Sequence, residues 1–99
     1  MPAYLVLYNF TDQAMKNIKQ MPDGIEQAHQ TIESMGGKVV ACCSLMGQYD
    51  ALGIYELPSD EVAMGFLLGM GATGNVRTTT LKAFPYDYDQ FSELVSRLP

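Results

Sequence analysis

A chain of 99 residues in which 6 Lys and Arg stand against 11 Asp and Glu, for a formal net charge of −5, lacks the clustered cations that phosphate contacts need. That excludes a nucleic-acid reader or an anionic-membrane surface. The length suits one domain, residues 1–99, with a single core and no need of staples, while 47% apolar against 17% charged residues is more apolar surface than one small globule hides. A homodimer or higher homo-oligomer is expected.

No run approaches membrane-spanning length, and the apolar start from Ala3 to Phe10 lacks the basic leader of a signal peptide, so a cytoplasmic protein is expected. The only cysteines, Cys42 and Cys43, are adjacent. Neighbours in a strand point to opposite faces, so a bond between them would distort the sheet. They read as two small buried core residues. Without a Cys-x-x-Cys or a Cys/His cluster no zinc site is expected, and no cofactor is predicted.

In chain order, Tyr4 to Tyr8 alternates aromatic and aliphatic residues and predicts a first strand, apolar on both faces and therefore central in its sheet. Thr11 and Asp12 cap a short helical turn that runs to Lys19. Pro22 suits the first turn of a new helix, with Asp23 and Glu26 spaced as a capping box. Ile25, Ala28, His29, Ile32 and Met35 recur at helical spacing as its apolar stripe. Gly36-Gly37 ends it as a C-cap.

Lys38 to Leu45 is a second strand, turned at Met46 to Gln48 into a third that alternates Tyr49, Ala51, Gly53 and Tyr55 against Asp50, Leu52, Ile54 and Glu56. Gly53 in mid-strand marks a bulge, a close backbone approach or room for a group above the sheet. Ser59 caps the next helix, whose buried stripe is Val62, Ala63, Phe66, Leu67 and Met70. Its glycines read as small residues that let it lie close to the sheet. Asn75 to Phe84 is a fourth strand, and Asp87 to Leu98 a last amphipathic helix with Phe91, Leu94, Val95 and Leu98 on one side.

The order β-α-β-β-α-β plus a terminal helix is the ferredoxin-like α+β arrangement, one four-stranded antiparallel sheet with helices on one face. Taking Leu5, Leu7, Leu52, Ile54 and Leu81 as helix-facing, parity puts Tyr4, Val6, Tyr8, Tyr49, Ala51, Tyr55, Thr78 and Thr80 on the open face. A face so rich in tyrosine is too apolar for water and is expected to meet another sheet or a ligand.

Gly47-Gln48-Tyr49-Asp50 before an apolar strand is similar to the signature of the GYD-domain family, as is Gly74 to Leu81 with Phe84-Pro85 after it. The opening Tyr4 to Asp12 and the Gly36-Gly37-Lys38 helix exit match the same pattern. The resemblance covers essentially the whole chain. It implies a small α+β protein related to the dimeric α/β-barrel proteins, whose members include cofactor-free monooxygenases, isomerases and small-ligand-binding modules. It implies no particular reaction.

Three residues are candidates for catalysis. His29 is the only histidine and the natural proton shuttle, although its place in a helical stripe favours a hydrogen-bonded structural role. Asp50 could be a general base, but an Asp beside a turn more commonly accepts backbone N–H bonds. Arg77 could hold a ligand carboxylate or phosphate, with an internal pairing to Asp50 favoured. The glycines from Gly69 to Gly74 follow a helix instead of opening one, so they make no phosphate loop. The functional expectation is an oligomeric module binding a small apolar or aromatic ligand on a face formed by Tyr4, Tyr8, Tyr49, Tyr55, Thr78 and Thr80, or simply assembling through it. The alternative is a cofactor-independent monooxygenase or isomerase in the sheet or dimer cleft, using Tyr49, Asp50, Arg77 and His29.

Overall fold

The computed structural model describes residues 1–99. Its elements are β1 (Ala3–Phe10), α1 (Asp12–Lys16), a 3-10 turn (Ile18–Gln20), α2 (Met21–Ser34), β2 (Lys38–Ser44), β3 (Ala51–Glu56), α3 (Asp60–Ala72), β4 (Val76–Ala83) and α4 (Tyr88–Ser96). The four strands form one antiparallel sheet in the order β2-β3-β1-β4. This is the ferredoxin-like α+β fold.

Local chemistry sets the boundaries. The Thr11 hydroxyl accepts from the Ala14 N–H and Ser59 from the Val62 N–H, satisfying donors that the first turn leaves orphaned. Gly36 ends α2 at φ 84°, a conformation glycine adopts without cost. The capping box expected at Asp23 and Glu26 does not form. The 3-10 turn feeds straight into α2, which starts at Met21, so Asp23 lies inside the first turn beside Pro22. A capping box closes instead at α4, between Asp87 and Gln90.

Register fixes the two faces of the sheet. Tyr4, Val6 and Tyr8 lie opposite Tyr55, Gly53 and Ala51 of β3 and opposite Lys82, Thr80 and Thr78 of β4, and directly paired residues share a face. This face is the one beneath the helices: Tyr4, Val6, Tyr8 and Tyr55 are buried in one core with Ile32 of α2 and Phe66 of α3. The expected outward placement of Tyr4, Tyr8, Tyr55, Thr78 and Thr80 is therefore inverted. The open face carries Leu5, Leu7, Leu52 and Ile54, all half-buried, and Leu81, which is 55% exposed.

Alternation separates two faces without saying which one is roofed, and β1 is apolar on both. The polar tips of the tyrosines break the tie. A phenol under a helix needs a hydrogen-bond partner, and each of the three has one. The Tyr8 and Tyr55 hydroxyls bond to each other at 2.6 Å, and the Tyr4 hydroxyl donates to Asp60 at the start of α3.

Gly53 is not a bulge; the irregularity lies in β2, between Val39 and Ala41. The Tyr55 phenol folds back over Gly53, so that a Cβ there would overlap the ring. Two further expectations are corrected. Cys42 and Cys43 are exposed, not core residues, because β2 is an outer strand of the sheet. The α3 glycines do not permit close approach either: a Cβ at Gly65 or Gly69 would meet nothing within 4 Å.

Candidate functional site

The roof formed by α2 and α3 is incomplete. Between the two helices and the covered sheet face lies an open-mouthed pocket of about 600 Å³. Tyr8, Cys42, Ala51 and Tyr55 form much of its floor. Met21, Ile25 and His29 of α2 stand on one side, with Phe66 and Met70 of α3 on the other. Gly24 of α2 and Gly65 and Gly69 of α3 line it at exposed helix positions, and none has a neighbour that a Cβ would touch. Among its 23 lining residues there is no Asp, Glu, Lys or Arg. Its ionisable members are His29, the two cysteines and the two tyrosines.

The floor carries no Asp, Glu, Lys or Arg. The Tyr55 ring meets Phe66 edge-on, with centroids 5.7 Å apart and planes at 71°, a favourable aromatic geometry. Burial, and then the neighbouring Tyr55, pushes the Tyr8 phenol far up from its ordinary value. Burial raises Tyr55 as well, partly offset by the bond from Tyr8. Both hydroxyls therefore keep their protons.

Outside the pocket, Tyr4 is pushed up to about 12, first by burial and then by its bond to Asp60. The Tyr4 hydroxyl, followed by Lys82 at 2.9 Å, holds the Asp60 carboxyl below its ordinary range. That group ties the start of α3 to β1 and β4, and so positions one wall of the pocket.

The sequence-predicted residues divide cleanly. His29, Tyr8 and Tyr55 come together in the pocket. His29 is half-buried there and makes no side-chain hydrogen bond, unlike the bonded histidine expected. Asp50 lies outside and accepts a backbone N–H as its position suggested, but from β1 and not from its own turn. Its Oδ2 accepts from the Phe10 N–H and its own N–H donates to the Tyr8 carbonyl, each at 2.8 Å. Arg77 does not pair with Asp50; its guanidinium donates to the Gly71 and Val76 carbonyls at 3.1 and 2.8 Å. Tyr49 sits half-buried in the turn before β3, and Tyr4, Thr78 and Thr80 share the covered face without lining the pocket.

Sequence reasoning missed the contribution of α3. The available signal was the density of glycine in that helix, where each one costs about 0.5–1 kcal/mol relative to alanine. Taken as a sign of close packing, it pointed the wrong way. No three His, Cys, Asp or Glu side chains converge on a point where they could hold a metal ion, and no helix is long and apolar enough to cross a membrane. What the pocket offers is apolar wall, a hydroxyl pair, one imidazole and the uncharged polar side chains of Gln27, Thr31, Ser44, Thr73 and Asn75.

Comparison with known proteins adds two findings. The family model of the GYD domain matches residues 4–95. A protein of Thermus thermophilus, described as a glutamine synthetase and cystathionine beta-lyase binding protein, is 29% identical over 99 residues, 99% of each chain.

Proposed function

We propose that this chain, which belongs to the GYD domain family, is an oligomeric binding protein that holds a small apolar or aromatic molecule between its helices and its sheet. One observation carries the reading: a pocket of about 600 Å³ is lined by no fixed charge and by three helix glycines with open space where a side chain would be. That volume falls in the range of small-molecule sites, which are likewise mostly apolar with a few convergent polar groups. Glycine within a helix is destabilising, so three of them around one pocket are costly unless the space is used.

The alternative reading as a cofactor-independent monooxygenase or isomerase relied on Tyr49, Asp50, Arg77 and His29, of which only His29 lines the pocket. Asp50 and Arg77 are engaged with backbone atoms outside it, which favours binding over catalysis. The Thermus relative is described as binding two enzymes. By analogy, this protein acts on protein partners through its outer surfaces while the pocket holds the small molecule. The open leucine-rich face is where a second copy packs, since a two-fold pair buries the same patch on both subunits.

Titration with Nile red, a neutral dye of suitable size, tests the pocket. Binding that saturates near one dye per chain is expected in the wild type. Gly69→Leu, which places a side chain in the opening, should weaken it at least tenfold while leaving the unfolding transition intact. Equal affinity in the two proteins would place the dye elsewhere and refute the reading.

A further inference from the structure

The hydroxyl pair on the pocket floor has a proton to spare. Tyr8 and Tyr55 are 6% and 3% exposed, and their 2.6 Å contact is the only hydrogen bond either hydroxyl makes. Two neutral phenols hold two protons, and their mutual bond uses one of them. The second O–H belongs to a buried donor with no protein acceptor. The Cys42 thiol shares the floor but bonds to neither. Buried donors are rarely left unmatched in native proteins, and both tyrosines that share this one line the pocket.

The walls narrow the choice further. Without Lys or Arg beside it a ligand carboxylate would be buried unpaired, and without Asp or Glu an ammonium would be. Either costs far more than a hydrophobic wall returns. The single exception is His29, which stands on the α2 side.

From this juxtaposition, and resting on the pocket reading above, we propose that the ligand is an uncharged lipophilic carbonyl compound whose oxygen accepts the free proton of the Tyr8–Tyr55 pair while its apolar body lies between Phe66, Met70 and Ile25. A ring system suits the aromatic side chains of Tyr8, Tyr55 and Phe66 that line the pocket. The carbonyl adds the bond that the Tyr8–Tyr55 pair cannot make for itself.

Competition against bound Nile red with three matched probes tests this: naphthalene, 2-acetylnaphthalene and 2-naphthoate share a ring system and differ in polarity. 2-Acetylnaphthalene should displace the dye with a Kd about five- to tenfold below that of naphthalene, the size of one neutral hydrogen bond. 2-Naphthoate should be at least tenfold weaker than 2-acetylnaphthalene. In the Tyr8→Phe/Tyr55→Phe double variant, the preference of 2-acetylnaphthalene over naphthalene should vanish.

Naphthalene binding as tightly as 2-acetylnaphthalene would overturn the carbonyl assignment. Tighter binding of 2-naphthoate would overturn it too, and make His29 the anchor of an anion. In both cases dye binding that remains sensitive to Gly69→Leu leaves the pocket reading standing. Failure of the wild type to bind Nile red or any probe brings down both. The wild-type series decides the question even if the double variant does not fold.

Discussion

Tyrosine is used here as a core residue with a built-in polar tie, and that choice fixes how the protein responds to base. Tyr4, Tyr8 and Tyr55, three of the chain's six tyrosines, are buried, and each is held above its ordinary value of 10.0, chiefly by burial. The folded state favours the neutral phenol, whereas the unfolded chain ionises near the ordinary value. Their contribution to stability is therefore complete below pH 10 and is lost as pH rises through 10 toward the folded values, about 12 for Tyr4 and higher for Tyr8. The urea midpoint should fall steeply above about pH 10, and the tyrosinate absorbance of these three rings should appear together with unfolding. Ionisation of all six near pH 10 with native circular dichroism retained would contradict this. The residue types were legible in the sequence, and so was the need of a tyrosine face for a partner. The side was not, because parity is blind to which face is roofed, and the deciding contacts, Tyr4 to Asp60 and Tyr8 to Tyr55, span 56 and 47 residues.

At the scale of the elements, glycines that look alike in the sequence have opposite roles. Gly65 and Gly69 lie on α3 with open space where a Cβ would go, whereas the space over Gly53 in β3 is filled by the Tyr55 ring. Gly65→Ala and Gly69→Ala should each stabilise the protein by about 0.5–1 kcal/mol, the helix-propensity difference. Gly53→Ala should destabilise it by about 1–3 kcal/mol, as overpacking does. Urea unfolding of the three variants checks both signs; a stable Gly53→Ala would mean that the Tyr55 ring has another resting place. Most boundaries were readable because capping is local chemistry, as at Thr11, Ser59 and Gly36. Asp23 misled because nothing in its own neighbourhood shows that the 3-10 turn runs on into α2. Cys42 and Cys43 misled because strand order is a property of the whole sheet, and only that order makes β2 an outer strand.

For the whole molecule, two apolar surfaces are left without cover. One is the open sheet face of Leu5, Leu7, Leu52, Ile54 and Leu81. The other is the stripe of Phe91, Leu94 and Val95 on α4 together with Leu98 just beyond its end, every one of which is exposed. The Cα radius of gyration is 15.5 Å, against about 13 Å for a compact chain of this length, and the long axis reaches 53 Å. In a chain with nearly half its residues apolar, exposed patches of this kind are the surfaces that mark interaction sites. The composition had pointed to an oligomer, and the inverted faces change the surface that argument uses, from tyrosines to leucines. Leu81 is the discriminating position: it pairs with Leu5 on the open face and is 55% exposed. In an isolated chain Leu81→Asp is a surface change worth within about 0.5 kcal/mol. In a sheet-to-sheet interface it buries an unpaired carboxylate and should separate the subunits. Light scattering coupled to size exclusion at micromolar concentration should give the wild type as a multiple of 10.9 kDa, and Leu81→Asp as the single chain with Nile red binding retained, because the pocket lies on the other side of the sheet. A wild type that elutes as a single chain would mean that the leucine face awaits a different protein.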